Sequence, residues 1–314
     1  MTSTKRHRIG VIGLGKIAQD QHLPVIAANP AFELVATSSQ RGLKAPGARR
    51  AYTDATALLA DTEIDSVAIC TPPQVRHRIA REALLAGKHV MLEKPPAATL
   101  SQLTDLAGIA HRAGRVLFTT WHSQYNAAVE AARAFLAQRR VMVMQVTWKE
   151  DVRHWHPGQA WIWHAGGFGV FDPGINALSI VTRIMPSPVF IARADLFFPA
   201  NCDAPIAANL DFVSEWPGQT LRAEFDWRQT GEQFWQIEIE TEDGAELTLA
   251  KGGARLEIDG KLVAEEKPRE YENIYERFDG LLTKGESAVE VEPFELVADA
   301  FMMGRRLVVE EFHE

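Results

Sequence analysis

The sequence predicts an α/β protein: a doubly wound parallel sheet in the N-terminal part, then an α+β domain on a large, mostly antiparallel sheet. Three observations predict it. Strand-like and helix-like patterns alternate from Arg8 to Thr120. A glycine-rich turn joins the first strand to the first helix. After Trp121 strand-like runs follow one another with turn signals between them, which is antiparallel grammar. At 314 residues, 46% apolar and 24% charged, the chain has the composition of a soluble globular protein and enough length for two cores.

The alternating part reads in order as strand Arg8–Ile12, helix Ile17–Ala28 stopped by Asn29-Pro30, strand Glu33–Ser38 and buried strand Ser66–Cys70. A helix over Val75–Ala86 ends at Gly87, and strand His89–Leu92 follows. Thr99-Leu100-Ser101-Gln102 is a capping box that opens a helix to about Ala113. Val116–Thr120 closes the series. Strands separated by such helices form a parallel sheet with right-handed crossovers.

The second part reads as a helix over Ala127–Gln138, a strand over Val141–Trp148, and strands at Val189–Phe198, Ala207–Val213, Thr220–Trp227, Phe234–Glu240, Glu246–Leu249 and Arg255–Ile258. Glu242-Asp243-Gly244 and Asp259-Gly260 supply turns. Phe294–Phe312 has one apolar helical face, expected to pack back on the body. The domains are therefore expected at 1–121 and 122–314.

Composition excludes several classes. A net charge of −8 argues against nucleic acid or anionic membrane as a partner. Two cysteines, Cys70 and Cys202, imply no disulfide framework and fit a reducing cytoplasm. The basic opening Met1–Arg8 precedes an apolar run, Ile9–Leu14, too short for a signal-peptide core, and no run reaches membrane-span length.

The first strand runs into Gly13-Leu14-Gly15-Lys16-Ile17-Ala18, a GxGxxA turn in the strand-to-helix setting that the dinucleotide motif of the Rossmann fold requires. Gly13 permits the tight turn, Gly15 lets backbone approach a pyrophosphate, and Ala18 allows close helix–strand packing. The acid expected about 20 residues later would hold the ribose 2′-OH. Glu33 has that spacing but opens its strand, whereas the strand's tip is Ser38-Ser39-Gln40-Arg41, free of carboxylate. Hydroxyls and a guanidinium suit a 2′-phosphate, so NADP is expected to be accepted, and nothing repels NAD. Thr71-Pro72-Pro73 and Glu93-Lys94-Pro95-Pro96 are stiff loops at the carboxyl edge of the sheet, where ligands bind.

Together GLGKIA, CTPPQVRH, GKHVMLEKPPA and DPGIN resemble the Gfo/Idh/MocA oxidoreductases across almost the whole chain. The resemblance implies two domains, NAD or NADP as cofactor and a sugar-like substrate. It implies cofactor contacts from Gly13, Gly15, Lys16, Ile17, Ser38, Ser39, Arg41, Thr71, Pro72, Pro73, His77, Glu93 and Lys94. Lys16–His22 and Trp163–Asn176 are similar to the aldose 1-dehydrogenase branch, which implies oxidation of D-galactose, and of L-arabinose, at the anomeric carbon to the 1,5-lactone. Many members carry histidine four residues after the aspartate of the glycine-rich motif; here Asn176 stands there, so the base is Asp172 or Lys94.

Asp172 also suits a helix N-cap before Pro173, a purely structural alternative. It leaves Asn176 unexplained, since residues four apart share a helix face. Gly166, Gly167 and Gly169 are read as letting backbone approach a ligand. Met142, Met144, Val146, Trp148 and Glu150 fall on one strand face. Glu150, Trp155 and His156 are candidate sugar-binding residues, with Trp148 read as core. Four of the eight tryptophans lie within Trp148–Trp163, beside carboxylate, imidazole and amide groups that match a sugar's hydroxyl rim. His154 and His156 lack a third ligand pattern, so no metal is expected. Two other readings stay open: a different oxidoreductase of the family, and a non-catalytic NAD(P)-binding regulator. The second sheet is a candidate homodimer surface.

Overall fold

The computed structural model describes residues 6–313; the basic Met1–Lys5 and the terminal Glu314 lie outside the described residues. The chain divides into two compact units, residues 1–122 with 270–291, and residues 123–269 with 292–314. The sequence reading ran the second domain unbroken over 122–314, whereas residues 270–291 fall in the first unit.

The first unit opens with β1 (His7–Ile12), α1 (Leu23–Ala28), β2 (Phe32–Ser38), β3 (Arg50–Tyr52), α2 (Ala55–Leu59) and β4 (Ser66–Ile69). α3 (Pro73–Leu85), β5 (His89–Leu92), α4 (Leu100–Ala113) and β6 (Leu117–Thr119) follow. All six strands are parallel, in the order β3-β2-β1-β4-β5-β6. That order is the dinucleotide-binding one, with its switch point between β1 and β4. The strands are short and apolar because both faces are covered: Val11, Val35, Val67 and Val90 are fully buried. β3 and α2 were not expected, for three and five residues are too few to show a period.

Local signals explain the helix ends. Thr99 Oγ1 accepts the Gln102 amide and caps α4, while Gln102 Oε1 reaches one residue further back, to the Ala98 amide. Gly114 closes α4 in the left-handed region at φ 59. Before α1, Ala18–His22 form a π-turn. Pro24 has no amide to donate to the Asp20 carbonyl, and the widened turn absorbs that misfit.

The second unit comprises α5 (Val129–Leu136), β7 (Val141–Lys149), α6 (Val152–Trp155), α7 (Phe171–Ile184), β8 (Phe190–Pro199), β9 (Ala207–Val213), β10 (Thr220–Asp226), β11 (Phe234–Thr241), β12 (Glu246–Ala250), β13 (Arg255–Ile258) and β14 (Lys261–Glu265). Next α8 (Glu270–Lys284) returns to the first unit, and α9 (Glu292–Met303) and β15 (Arg305–Val309) finish the second. Nine strands form one sheet, β14-β13-β12-β11-β7-β10-β9-β8-β15, antiparallel except at β7–β10 and β8–β15.

One face of this sheet is core. Met144, Val146, Trp148, Leu221, Ala223 and Phe225 are buried at alternate positions. Met142 leaves the alternation because the β7–β11 register skips it at a bulge. α7 lies so close that a Cβ at Gly174 would meet the Phe225 ring at 2.9 Å. Asp259 and Gly260, at φ 50 and 69, make the tight turn that sends the chain into β14, a strand not anticipated.

The expected helix over Phe294–Phe312 is two elements. α9 stops because a Cβ at Gly304 would run into the Ala300 carbonyl and the Leu196 side chain. The β-branched residues after it pair with β8 instead, and Arg305 grips Asp195 through two bonds of 2.7 and 3.0 Å. Among the described residues no helix is long and apolar enough to cross a membrane.

Candidate active site

In the first unit the glycine turn sits between strand ends. The Gly13 amide donates to the Ser38 carbonyl at 2.9 Å. Gly13 has φ 91, and a Cβ there would press on the Cys70 carbonyl carbon and the Thr71 amide at 3.0 Å, so no other residue fits. A Cβ at Gly15 would have nothing within 4 Å, which leaves open space over the turn. The first helical bond is Gln19 to Gly15, so the preceding amides form the free helix N-terminus that attracts phosphate. Thr71 Oγ1 is buried and has no hydrogen-bond partner among the described residues. An open cradle over a glycine turn, an unsatisfied hydroxyl and the exposed Ile17 fit a bound dinucleotide.

The other expected cofactor residues take varied positions. Ser38 is buried at the end of β2, and Ser39 Oγ accepts the Leu43 amide at 3.0 Å, folding the tip back on itself. Arg41 is exposed and holds no ion pair among the described residues. Lys16 pairs with Asp20 one turn on. Pro72 and Pro73 open α3. His77, on the second turn of α3, is drawn to Asp105 of α4 at 2.9 Å.

The loop after β5 is tightly held. Arg76, on α3, donates to the carbonyls of Glu93, Pro95 and Thr71. Glu93 is buried; its Oε1 lies 2.8 Å from His22 Nε2 and accepts the Tyr271 hydroxyl at 2.7 Å, while Oε2 accepts the Lys94 amide at 3.0 Å. Burial opposes ionisation of this carboxyl, but His22 and the Tyr271 hydroxyl hold it down to about 2. Burial alone would lower the His22 pKa; the Cys70 sulfur, the Tyr275 hydroxyl and Glu93 raise it well above its ordinary value. Glu93, expected beside the cofactor, is thus a buried member of an ion pair. Sequence reasoning missed its partners His22 and Tyr271, and Tyr275 behind His22; only the amphipathic spacing of α8 was available to find the tyrosines.

In the second unit the carboxyl end of β7 and the start of α7 carry the polar cluster. Glu150 is buried, and each of its oxygens takes an indole N–H: Trp227 Nε1 to Oε1 at 3.1 Å and Trp235 Nε1 to Oε2 at 2.8 Å. Both donors were missed, because register and not spacing brings them to Glu150. Trp155 donates to Gln233 at 2.8 Å and meets the Trp235 ring edge-on at 5.9 Å. His156 lies over Trp227 at 5.2 Å, and its Nε2 is 3.4 Å from Asp172 Oδ2. His154 turns instead against Trp155. Trp148 is core, and its buried indole nitrogen has no hydrogen-bond partner among the described residues.

Asp172 is not the helix cap that its neighbour Pro173 suggested. Helical dihedrals begin at Val170, and tight bonds from Phe171 to Phe168 and from Asp172 to Gly169 put Asp172 inside the first turn. Two of the glycines before it have a packing reason: a Cβ at Gly167 would strike the Trp161 and Ile162 carbonyls, and one at Gly169 the Pro205 carbonyl. Asp172 is buried and Asn176 half-buried one turn on. The Asn176 carbonyl accepts the Ser179 hydroxyl at 2.7 Å.

Known proteins agree with this description. Residues 7–121 match the oxidoreductase family with an NAD-binding Rossmann fold, Gfo/Idh/MocA. A galactose 1-dehydrogenase of Pseudomonas fluorescens is 46% identical over 309 residues, 98% of this chain and 99% of that one. The crystal structure of a D-galactose-1-dehydrogenase from Rhizobium etli is 54% identical, covers 100% of both chains and superposes with a TM-score of 0.94. A 3-ketoreductase from Actinomadura kijaniata, crystallised with NADP, shares the fold at 18% identity, with a TM-score of 0.84 over 97% of this chain and 100% of that one.

Fold and nucleotide cradle define a nicotinamide-dinucleotide oxidoreductase. The chain belongs to the Gfo/Idh/MocA family, and its cofactor is NAD or NADP.

Proposed function

We propose that this enzyme oxidises D-galactose at its anomeric carbon to the 1,5-lactone, with L-arabinose as a second substrate. The observation that carries the substrate is the likeness, over essentially full length, to galactose 1-dehydrogenases at 46% and 54% identity. When bound, the nicotinamide nucleotide supplies the two-electron oxidising equivalent. This chain's residues must hold the sugar and remove the proton of the C1 hydroxyl.

Asp172 takes the role of base, Lys94 holds the C1 hydroxyl, and Asn176 completes its orientation. Asp172 is buried, lies in the first turn of a rigid helix, and is not consumed as a cap, all of which suit a carboxylate kept for chemistry. Glu150 and His156 bind hydroxyls, with Trp155 beside them offering an apolar ring. The two indoles that donate to Glu150 are neutral hydrogen-bond donors, which hold its carboxyl oxygens as acceptors suited to hydroxyls. The ring oxygen of a pyranose donates electron density to C1 as the C–H bond breaks, so one carboxylate base suffices. A screen of aldoses with NAD and NADP, read by the absorbance of the reduced cofactor, tests the substrate; no signal with either sugar refutes it. A cytoplasmic location and a homodimer through the second sheet belong to the same reading, tested by cell fractionation and sedimentation velocity.

A further inference from the structure

The first unit contains a charged pair for which cofactor and substrate binding give no reason. His22 is completely buried in the π-turn that precedes α1. Its Nδ1 lies 2.9 Å from the Tyr275 hydroxyl and its Nε2 2.8 Å from Glu93. Glu93 in turn takes the Tyr271 hydroxyl on one oxygen and the Lys94 amide on the other. Both tyrosines come from α8, and the rings of Tyr271 and Tyr275 stand edge-on to His22 at 5.0 and 5.8 Å. Two remote segments, the π-turn and α8, therefore converge on one carboxylate at the end of β5.

A buried ion pair is a weak stabilising device, since well-packed apolar side chains of similar volume commonly do as well or better. What an apolar pair cannot supply is an oxygen aimed at the Lys94 amide. Arg76 already holds the carbonyls on either side of Lys94, those of Glu93 and Pro95. Glu93 supplies the one bond to the Lys94 amide itself. Residues 93, 95 and 96 are buried, and Lys94 alone in that run is half-exposed. π-turns occur disproportionately at functional sites, and this one aims an imidazole inward.

We infer that His22 is a positioning residue for the reaction, holding Glu93 so that Glu93 fixes the backbone from which Lys94 projects. The inference rests on the proposed role of Lys94. It assigns His22 and Tyr271 a function that neither exercises by touching substrate or cofactor.

The test is a double-mutant cycle on single-turnover oxidation of D-galactose by NADP, corrected for folded fraction. Lys94→Ala, His22→Gln and the double variant are compared, with Tyr271→Phe as the milder change should His22→Gln not fold. His22→Gln is expected to slow the single-turnover step about 100-fold, because a shift of about 1 Å in a reacting group has that effect. The sugar and cofactor dissociation constants should move less than about threefold on the same ground. Tyr271→Phe should slow the step less, in the same direction. In the Lys94→Ala background neither change should slow it further, because the group they position is gone. Equal slowing in both backgrounds, or a folded His22→Gln enzyme turning over at the wild-type rate, overturns the inference. Wild-type turnover by Lys94→Ala alone overturns the Lys94 role, and this inference falls with it for that distinct reason.

Discussion

Two buried glutamates, one in each unit, are held by side-chain donors that differ in charge. Glu93 faces an imidazole and a phenol, and its charge is answered inside the fold. Glu150 faces two indoles that donate hydrogen bonds but carry no charge. The first arrangement locks a loop. The second holds a carboxyl group in place through neutral donors. Burial by itself therefore does not set the electrostatics of a carboxyl group; the charge of its donors also does.

The largest effect expected from breaking this contrast lies at Asp172, on the ligand-directed side. Asp172→Asn keeps shape and, since the residue is no cap, keeps the helix. kcat should fall about 10²–10⁴-fold while the melting temperature and cofactor affinity hold. A folded variant with near-normal kcat would remove Asp172 as the base.

Glu93→Gln should cut stability. The fall of the Glu93 pKa from 4.5 to about 2 corresponds to roughly 3 kcal/mol. Because the folded value lies below the unfolded one, that contribution is present above about pH 4.5 and disappears as pH falls towards 2. His22 runs the other way: with its pKa raised, its share is complete below 6.5 and declines as pH rises further. Denaturant melts across pH should show the wild type losing stability below pH 4.5 and Glu93→Gln losing much less there; identical acid limbs would show that Glu93 is not the group responsible.

Glu150→Gln replaces the carboxyl group with an amide. KM for the sugar should rise about 10–100-fold, a loss of about 1.5–3 kcal/mol for hydrogen bonds to a charged group, with a smaller change in kcat. A KM that does not move would place Glu150 with Glu93 among the structural acids. The smallest effect concerns Arg41, whose exposed guanidinium holds no ion pair among the described residues. Arg41→Ala should weaken NADP by roughly 1.5 kcal/mol and leave NAD nearly unchanged. Equal weakening of both cofactors, measured by fluorescence titration, would show that Arg41 does not meet the 2′-phosphate.

The two units were legible in the sequence to different degrees. In the parallel unit each strand is a short apolar run next to a glycine or proline break, so order and direction could be read directly. β3 was lost because Arg-Ala-Tyr has no period. α8 was overlooked although Tyr271, Ile274, Tyr275, Phe278 and Leu281 mark one helical face, all buried. In the antiparallel unit the strands were legible but their neighbours were not. Trp235 reaches Glu150 because β11 lies beside β7, with Trp235 opposite Trp148, and register of that kind is a long-range property absent from local spacing. Gly304 and the Arg-Arg-Leu-Val-Val run after it were the overlooked sign that the last helix ends and a strand begins. For the proposed site, Asp172, Asn176, Glu150 and His156 were singled out by residue type and spacing. Their hydrogen-bond partners, 77 and 85 residues from Glu150, were not.

The return of α8 to the first unit has a consequence for how the chain is made. Phe278 stacks on Phe32 and Phe118, Tyr275 meets Phe32 edge-on, and β6 is bridged by Ala288. On a ribosome the nucleotide-binding sheet is synthesised first, yet it must wait for residues 270–291 before that aromatic cluster closes. Until then Phe32 and Phe118 lack the ring that covers them. A nascent chain halted before Glu270 therefore leaves these rings without their α8 partners, although every strand of its first sheet has already been synthesised.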